Sequence, residues 1–264
     1  MLFRSLTFAL PDYNYYLLLA IYSLMAKFDL SKTQEVGDLL TVERAQRDKA
    51  WRTRFYDAIV DASMATIPKQ AVQGPDGFPY FVLKMPPAEE AFEPFCISHI
   101  LDVCLENGLG VVFNPESNPP DWVFPYGQLW ALKEFGKLDM EPPAHHEGET
   151  AEEASHAALR QRTLEGNSVL VGQPSEAFFP SYARKAVKKF LTERTGQADP
   201  GVLLMSDPRS PSPQSLVFSI FAEDFKTEKE FGTLMYLLEW FFPLNYGFAA
   251  ISKDSELAKG FQAL

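Results

Sequence analysis

Apolar positions in the C-terminal half of the chain change repeatedly between the spacing of a strand and the spacing of a helix. The predicted elements, in chain order, are strand Ser168–Val171, helix Pro180–Arg194, strands Val202–Met205 and Ser215–Ala222, helix Thr227–Phe242 and strand Asn245–Ile251. Thr227 and Glu230 form a capping box that opens the last of these helices. This βαββαβ order is that of the ferredoxin-like fold. Right-handed crossovers in that fold place the first and third strands side by side, so we expect an antiparallel four-stranded sheet with Ser168–Val171 and Ser215–Ala222 as its central strands.

The N-terminal half has the predicted order αββαββα. Its elements are helix Thr41–Ala65, strands Lys69–Gln73 and Phe78–Met85, helix Pro94–Glu106, strands Leu109–Asn114 and Asp121–Phe124, and helix Gln128–Phe135. The turn Gly74-Pro75-Asp76-Gly77 predicts a hairpin of the first two strands, and Gly108 supplies a left-handed stop for the second helix. The two halves together predict an α+β protein of two domains.

A polar segment separates the two halves. It has few apolar residues, two adjacent prolines and an excess of glutamate, which is the composition of a linker. We therefore predict an N-terminal α+β domain at residues 35–138, an acidic linker at 139–166 and a C-terminal ferredoxin-like domain at 167–264. The linker histidines lack an apolar scaffold that would hold them as metal ligands, and we interpret them as solvated: His145, His146 and His156.

Residues 1–34 form a separate N-terminal segment with three interpretations. The apolar run Tyr13–Met25 resembles a signal or membrane contact, but it is shorter than the roughly 20 residues that a membrane span needs. The alternatives are a peripheral helix packed on a domain, and a natural start at Met25 that leaves residues 1–24 outside the native protein. The sequence leaves all three open, and we expect no membrane partner.

The composition is that of an acidic globular protein. Hydrophobic residues make up 46% of the chain, enough for a sizeable core, and the formal net charge is −11 with a pI near 4.9. A negative field of this size repels phosphate backbones, so we predict no nucleic-acid binding. The basic residues Arg184, Lys185, Lys188 and Lys189 share one helix, which we interpret as a solvated helix face.

The residues that usually carry chemistry do not form a recognisable motif. Cys96 and Cys104 lie eight residues apart on one predicted helix, about 12 Å between Cα atoms, which is too far for a disulfide. Two reduced thiols indicate a cytoplasmic protein. The sequence contains no P-loop, G-x-S-x-G, C-x-x-C or H-E-x-x-H motif, and we predict no cofactor and no metal.

The segment from Phe113 to Trp130 is the most unusual part of the chain, with two Trp, two Phe, one Tyr and four Pro in eighteen positions. One interpretation is a rigid loop whose aromatic residues close the domain core. The other is a surface for a protein partner, because aromatic side chains on a stiff loop lose little entropy on binding. The predicted partner-binding residues are Asn114, Asp121, Trp122, Phe124, Tyr126 and Trp130.

The predicted strand Ser215–Ala222 has apolar residues on both of its faces. Two helices cover one face, and an uncovered second face would be a larger apolar patch than soluble proteins usually tolerate. We therefore expect the first domain, a partner or a second copy of the chain to cover it, which makes a homodimer one of the expected arrangements.

The stretch Val169-Leu170-Val171-Gly172-Gln173-Pro174, with Pro180 and a helix behind it, resembles the C-terminal domain of the SseB-like (enhanced serine sensitivity) bacterial family. In that family a strand ending in Leu-Gly-x-Pro precedes a helix, and an apolar strand follows. The resemblance covers at most residues 168–264, and Val202–Asp207 departs from the Ala-Tyr-Leu-type strand of the family. It implies a cytoplasmic bacterial protein without an established catalytic centre, so it carries over no site residue.

These observations favour a non-catalytic cytoplasmic binding or adaptor protein that acts through protein–protein contacts. One alternative is a hydrolase or transferase with an unrecognised site, for which Asp121, Tyr126 and His99 are the first candidates. Another alternative is a ferredoxin-like regulatory domain that senses a small molecule.

The linker gives a first testable prediction. Because few apolar contacts protect the backbone between Met140 and Ala158, limited digestion should cut there first and release folded fragments near residues 1–140 and 160–264. Mass spectrometry of the fragments locates the cut. Resistance of this segment, or unfolding of either fragment, would show that the two halves share one core.

Overall fold

The structure, a computed structural model, describes residues 29–88, 90–141, 170–206 and 214–264. The chain divides into two compact units, the first ending at Leu129 and the second running from Trp130 to Leu264. Each unit combines helices with one sheet, which confirms the α+β class. Residues 1–28 and 142–169 lie outside the described residues, so the interpretations of the N-terminal segment and of most of the linker stay predictions. No helix in the described ranges is long and apolar enough to cross a membrane.

The first helix that the structure describes in this unit is one that the sequence did not predict. Helix α1, Leu30–Leu40, begins at Asp29, whose carboxylate accepts hydrogen bonds from the backbone N–H groups of Ser31 and Lys32. The helix buries Val36 and Leu39. The first unit therefore includes residues before position 35, where we expected the domain to begin.

The prediction of one helix over Thr41–Ala65 is wrong. Helix α2 covers only Lys49–Ile59, and a 3₁₀ turn, Arg44–Gln46, precedes it. Asp48 caps α2, because its carboxylate accepts from the Trp51 backbone N–H at 2.7 Å. At the other end the chain becomes extended, and Met64 and Ala65 form β-bridges.

The sheet of the first unit has four strands in sequence order: β1, Ala71–Gln73; β2, Pro79–Leu83; β3, Gly110–Phe113; and β4, Trp122–Phe124. The predicted β1–β2 hairpin is confirmed, and β3 and β4 are also antiparallel. Helix α3, Ile97–Asn107, joins the parallel pair β2–β3 and ends at Gly108 in the predicted left-handed conformation, with φ 68°. Helix α4 follows at Tyr126–Phe135.

The second unit contains the predicted strands and helices and one further strand. Its elements are β5, Leu170–Gly172; α5, Ser181–Thr195; β6, Gly201–Ser206; β7, Gln214–Phe218; α6, Glu228–Glu239; β8, Gly247–Phe248; and β9, Gln262–Ala263. Helix α6 opens at Thr227, whose hydroxyl accepts from the Glu230 backbone N–H as predicted.

The strand order of the second unit is not ferredoxin-like. The strands lie in the order β5-β6-β7-β8, so the expectation that Ser168–Val171 and Ser215–Ala222 are neighbours is wrong. Strand β6 lies between them because it pairs with β7 as an antiparallel hairpin and with β5 and β9 on its other side. Strands β7 and β8 are parallel, with α6 as their crossover, so the sheet is mixed.

The second face of this sheet is covered by the unit itself. Leu203, Met205 and Val217 are buried on that face, and the residues packed against them come from the end of the chain: Ile251, Ala249, Leu257, Ala258 and Phe261, with Phe221 beside them. This face therefore does not need another domain, a partner or a second copy of the chain to cover it. The homodimer was expected only because no cover for this face was predicted within the unit, so that reason for expecting it no longer holds.

The two units share one chain topology. In each, a helix leads into an antiparallel hairpin, and a second helix then crosses over to a strand parallel to the last one: α2-β1-β2-α3-β3 in the first unit and α5-β6-β7-α6-β8 in the second. The sequence shows no matching repeat, so the likeness is one of topology.

The division of the chain falls inside α4, at Trp130, and not in the acidic linker. The Trp130 ring is fully buried in the second unit, with its centroid 4.9 Å from that of Tyr246, 5.4 Å from Phe242 and 5.9 Å from Phe179. A fragment 160–264 would lack this ring, so we expect it to be less stable than the unit that begins at Trp130.

A substitution on α4 tests this assignment. Trp130→Ala should lower the free energy of unfolding by about 3–5 kcal/mol, because it leaves a cavity among aromatic rings. Phe135→Ala on the same helix is the control, and since Phe135 is exposed we expect a change of about 0.5 kcal/mol. Urea unfolding followed by circular dichroism measures both, and equal effects would contradict the assignment.

Candidate functional site

Asn114 and Asp121, two of the predicted partner-binding residues, lie in hydrogen-bond contact. Asn114 follows β3 in a left-handed conformation, with φ 47°. Its Nδ2 donates to Asp121 Oδ2 at 2.8 Å, and its Oδ1 accepts from the Met85 backbone N–H at 2.9 Å. One amide side chain thereby connects the ends of β2 and β3 with the start of β4.

Arg44, from the 3₁₀ turn before α2, fixes the other end of the same loop. Its Nη2 donates to Asp121 Oδ1 at 3.2 Å and to the carbonyl oxygens of Pro119 and Pro120 at 2.7 and 3.0 Å. Lys84 and Glu116 form a further ion pair. These contacts hold residues 114–121 in one conformation, with Glu116, Asn118 and Pro119 exposed.

Trp122 is half-buried in an aromatic cluster of the first unit. Its ring centroid lies 5.1 Å from Phe55, 5.6 Å from Trp51 and 5.7 Å from Tyr56. The Arg47 guanidinium lies 4.7 Å from the Trp51 centroid on the same cluster. Only part of the Trp122 side chain is therefore accessible to a partner.

The other three predicted partner-binding residues are core residues. The side chains of Phe124, Tyr126 and Trp130 are fully buried, so they do not line a surface. Trp130 also belongs to the second unit, whereas Asn114, Asp121 and Trp122 belong to the first. The segment Asn114–Trp130 is thus a fixed polar loop followed by aromatic residues that close the cores, and the partner-binding role of Asn114, Asp121 and Trp122 stays a prediction.

The residues named for a catalytic alternative do not converge. The Tyr126 hydroxyl donates to the Leu105 carbonyl oxygen at 3.1 Å, and burial raises the pKa of this phenol. Leu105 lies six residues beyond His99 on α3, about 9 Å along the helix axis. Asp121 is held by Arg44 and Asn114.

The two cysteines are free and buried, as expected from their spacing. Burial raises the pKa of both the Cys96 and the Cys104 thiol, which keeps them protonated and works against a nucleophilic role. Across the described ranges, no group of three or more His, Cys, Asp or Glu side chains is arranged to hold a metal ion.

Among the strands that the structure describes, β5 lies at an open edge of the sheet of the second unit. The Ser219 backbone N–H donates to the Gly201 carbonyl oxygen at 2.9 Å, so the odd-numbered residues of β6 direct their backbone groups toward β7. The even-numbered residues, Leu204 and Ser206, bond to their partners Gly172 and Leu170 on β5. Val171 lies opposite Met205, and its N–H and C=O therefore point away from the sheet.

The side chains of β5 are also exposed. Leu170 is 67% exposed and Val171 38%, and Leu170 has the largest exposed fraction of the large hydrophobic residues that the structure describes. An edge strand with apolar side chains and unpaired backbone groups is a template for another strand. Sequence reasoning missed this edge because it placed Ser168–Val171 in the middle of the sheet. No local signal in these residues distinguishes an edge strand from a central one.

Comparison with known proteins gives this chain no relative: no protein-family model, no curated protein and no solved structure matches it. The resemblance of residues 168–264 to the SseB-like family therefore stays a prediction.

The loop after β3 gives a testable prediction. Asn114→Asp keeps the shape of the side chain and the acceptor for Met85 but places a second carboxylate against Asp121. We expect the free energy of unfolding at pH 7 to fall by about 1–3 kcal/mol, measured by urea unfolding. Asn118→Asp adds the same charge at an exposed position of the same loop and should change stability by less than about 0.5 kcal/mol. Equal losses would contradict the bridging role of Asn114.

Proposed function

We propose that this chain is a non-catalytic binding or adaptor protein that takes up an extended segment of a protein partner on the open edge of β5. The observation that supports the proposal is the geometry of Val171, whose backbone N–H and C=O point outward beside two exposed apolar side chains. Strand addition of this kind uses main-chain hydrogen bonds for affinity and side-chain contacts for specificity.

The contacts available at this edge supply part of a specific interface. Two backbone hydrogen bonds at Val171 contribute about 0.5–1.5 kcal/mol each. Burial of the exposed part of Leu170 contributes about 1–2 kcal/mol more. A partner strand that continues past β5 adds further contacts, so this edge serves as the nucleus of a longer interface.

The proposal also includes a second binding surface, a location in the cell, a family relationship and self-association. The fixed loop 114–121 of the first unit is a second candidate surface for a protein partner, because its exposed residues lose little conformational entropy on binding. A cytoplasmic location, a relationship to the SseB-like family and self-association also remain proposals.

A proline substitution tests the edge of β5 without disturbing the sheet. Val171→Pro removes the outward-pointing N–H and keeps the bonds from β5 to β6, because those bonds come from Leu170 and Gly172. We expect it to abolish partner binding and leave the melting temperature within a few degrees of the wild-type value. Val171→Thr keeps the N–H and a β-branched side chain, so it serves as the matched control.

The measurement is quantitative mass spectrometry of proteins captured by the tagged full-length chain from a bacterial extract. The proposal expects a defined protein that wild type and Val171→Thr capture in comparable amounts and Val171→Pro does not. Capture that is the same for all three chains, or that never exceeds the background of the empty resin, would contradict it.

A further inference from the structure

One face of helix α5 forms a basic groove in a chain whose net charge is −11. The groove has a volume of about 670 Å³. Four basic side chains and one carboxylate, that of Glu193, line it from α5, and the α5 residues of the lining recur at helical spacing: Ser181, Arg184, Lys185, Lys188, Lys189, Thr192 and Glu193. Helix α5 carries five basic side chains and one acidic side chain, Glu193. The positive charge is therefore local and does not follow from the composition of the chain.

Two of the basic side chains of this groove are already held in place. The Arg184 guanidinium donates to the carbonyl oxygens of Phe179 at 2.7 Å and Pro174 at 2.6 Å, and it lies 5.0 Å from the Phe179 ring centroid. Lys188 Nζ donates to Asp199 Oδ1 at 3.0 Å and to the Leu264 carbonyl oxygen at 3.1 Å. They fix the walls of the groove.

The other two basic side chains, Lys185 and Lys189, are exposed, and neither forms an ion pair within the part of the chain that the structure describes. Thr192 is a further polar residue of the groove. Thr192 Oγ1 is buried at the groove and has no hydrogen-bond partner among the described residues. Two exposed lysines on one helix face, without an ion pair among the described residues, are the complement of an anionic ligand.

We propose that this groove binds a short acidic peptide segment in an extended conformation. Lys185 and Lys189 are one helical turn apart, about 6 Å along the axis. Residues i and i+2 of an extended chain lie on one side and about 6.6 Å apart. Alternate Asp or Glu side chains of such a peptide therefore match the two lysines, and the aliphatic stems of the lysines, Ala198 and Leu264 provide an apolar floor.

The size and charge of the site favour a peptide over a nucleic acid. From Ser181 to Thr192 the groove follows the helix for about 16 Å, which is the length of roughly five extended residues. A longer polyanion would extend over a chain of net charge −11 and would be repelled by it. Our interpretation of this face as merely solvated is revised accordingly.

The test uses a fluorescein-labelled ten-residue peptide of alternating glutamate and serine, titrated with the full-length chain and followed by fluorescence anisotropy. We expect saturable binding that weakens as salt rises from 0.05 to 0.5 M. Lys185→Glu/Lys189→Glu should weaken binding at least about tenfold. Lys185→Gln/Lys189→Gln should weaken peptide binding less. If the charge reversal impairs folding, this neutral variant provides the measurement instead.

The matched control is Lys226→Glu/Lys229→Glu, which makes the same change in net charge at exposed positions beside and on α6. It should bind the peptide as the wild type does. An equal loss in this control would show general electrostatic attraction and overturn the proposal, as would an absence of saturable binding. Tighter binding of a ten-nucleotide single-stranded DNA, lost with the same lysines, would overturn the peptide in favour of a phosphate ligand. Val171 takes no part in this groove. A negative result in the peptide experiment would therefore leave the proposal for the β5 edge unaffected.

Discussion

The pairing of β6 with β7 holds the second unit together because both strands bury apolar side chains on two faces. Phe218 packs against Phe179 and Phe242 on one face, and Leu203, Met205 and Val217 are buried on the other beneath the last residues of the chain. Each face of this pair is therefore closed from within the unit. What stays open is an edge, and the alternation of backbone groups along β6 decides which residue of β5 presents its hydrogen-bonding groups to a partner.

The central position of β6 also explains which sequence predictions succeeded and which failed. Local signals were reliable: the Asp76-Gly77 turn, the left-handed stop at Gly108 and the Thr227 cap each depend on neighbouring residues only, and the structure contains all three. Strand order failed because it depends on which distant strands pair. A βαββαβ order is compatible with β5 beside β7, but β6 pairs on both sides and separates them.

For the candidate sites, too, local features were predictable from the sequence, whereas features that depend on packing were not. Aromatic and proline residues in one segment predicted a surface, but whether Phe124, Tyr126 and Trp130 face solvent depends on packing that the local sequence does not encode. Asn114 and Asp121 connect three strands in the structure, and their partner-binding role stays a prediction. The α5 groove could be recognised only in part. The spacing of Lys185 and Lys189 shows a common helix face, but it does not show that neither lysine forms an ion pair with another described residue.

The proposed function depends on the edge of β5, where the Val171 N–H has no partner among the described strands. Amide hydrogen exchange of the free full-length chain, resolved by residue with NMR, tests it most directly. We expect the Val171 amide to exchange close to the rate of an unstructured peptide, whereas the Gly172 amide, which bonds to Leu204, is protected. Protection of Val171 as strong as that of Gly172 would show that this edge is already paired and would overturn the proposed function.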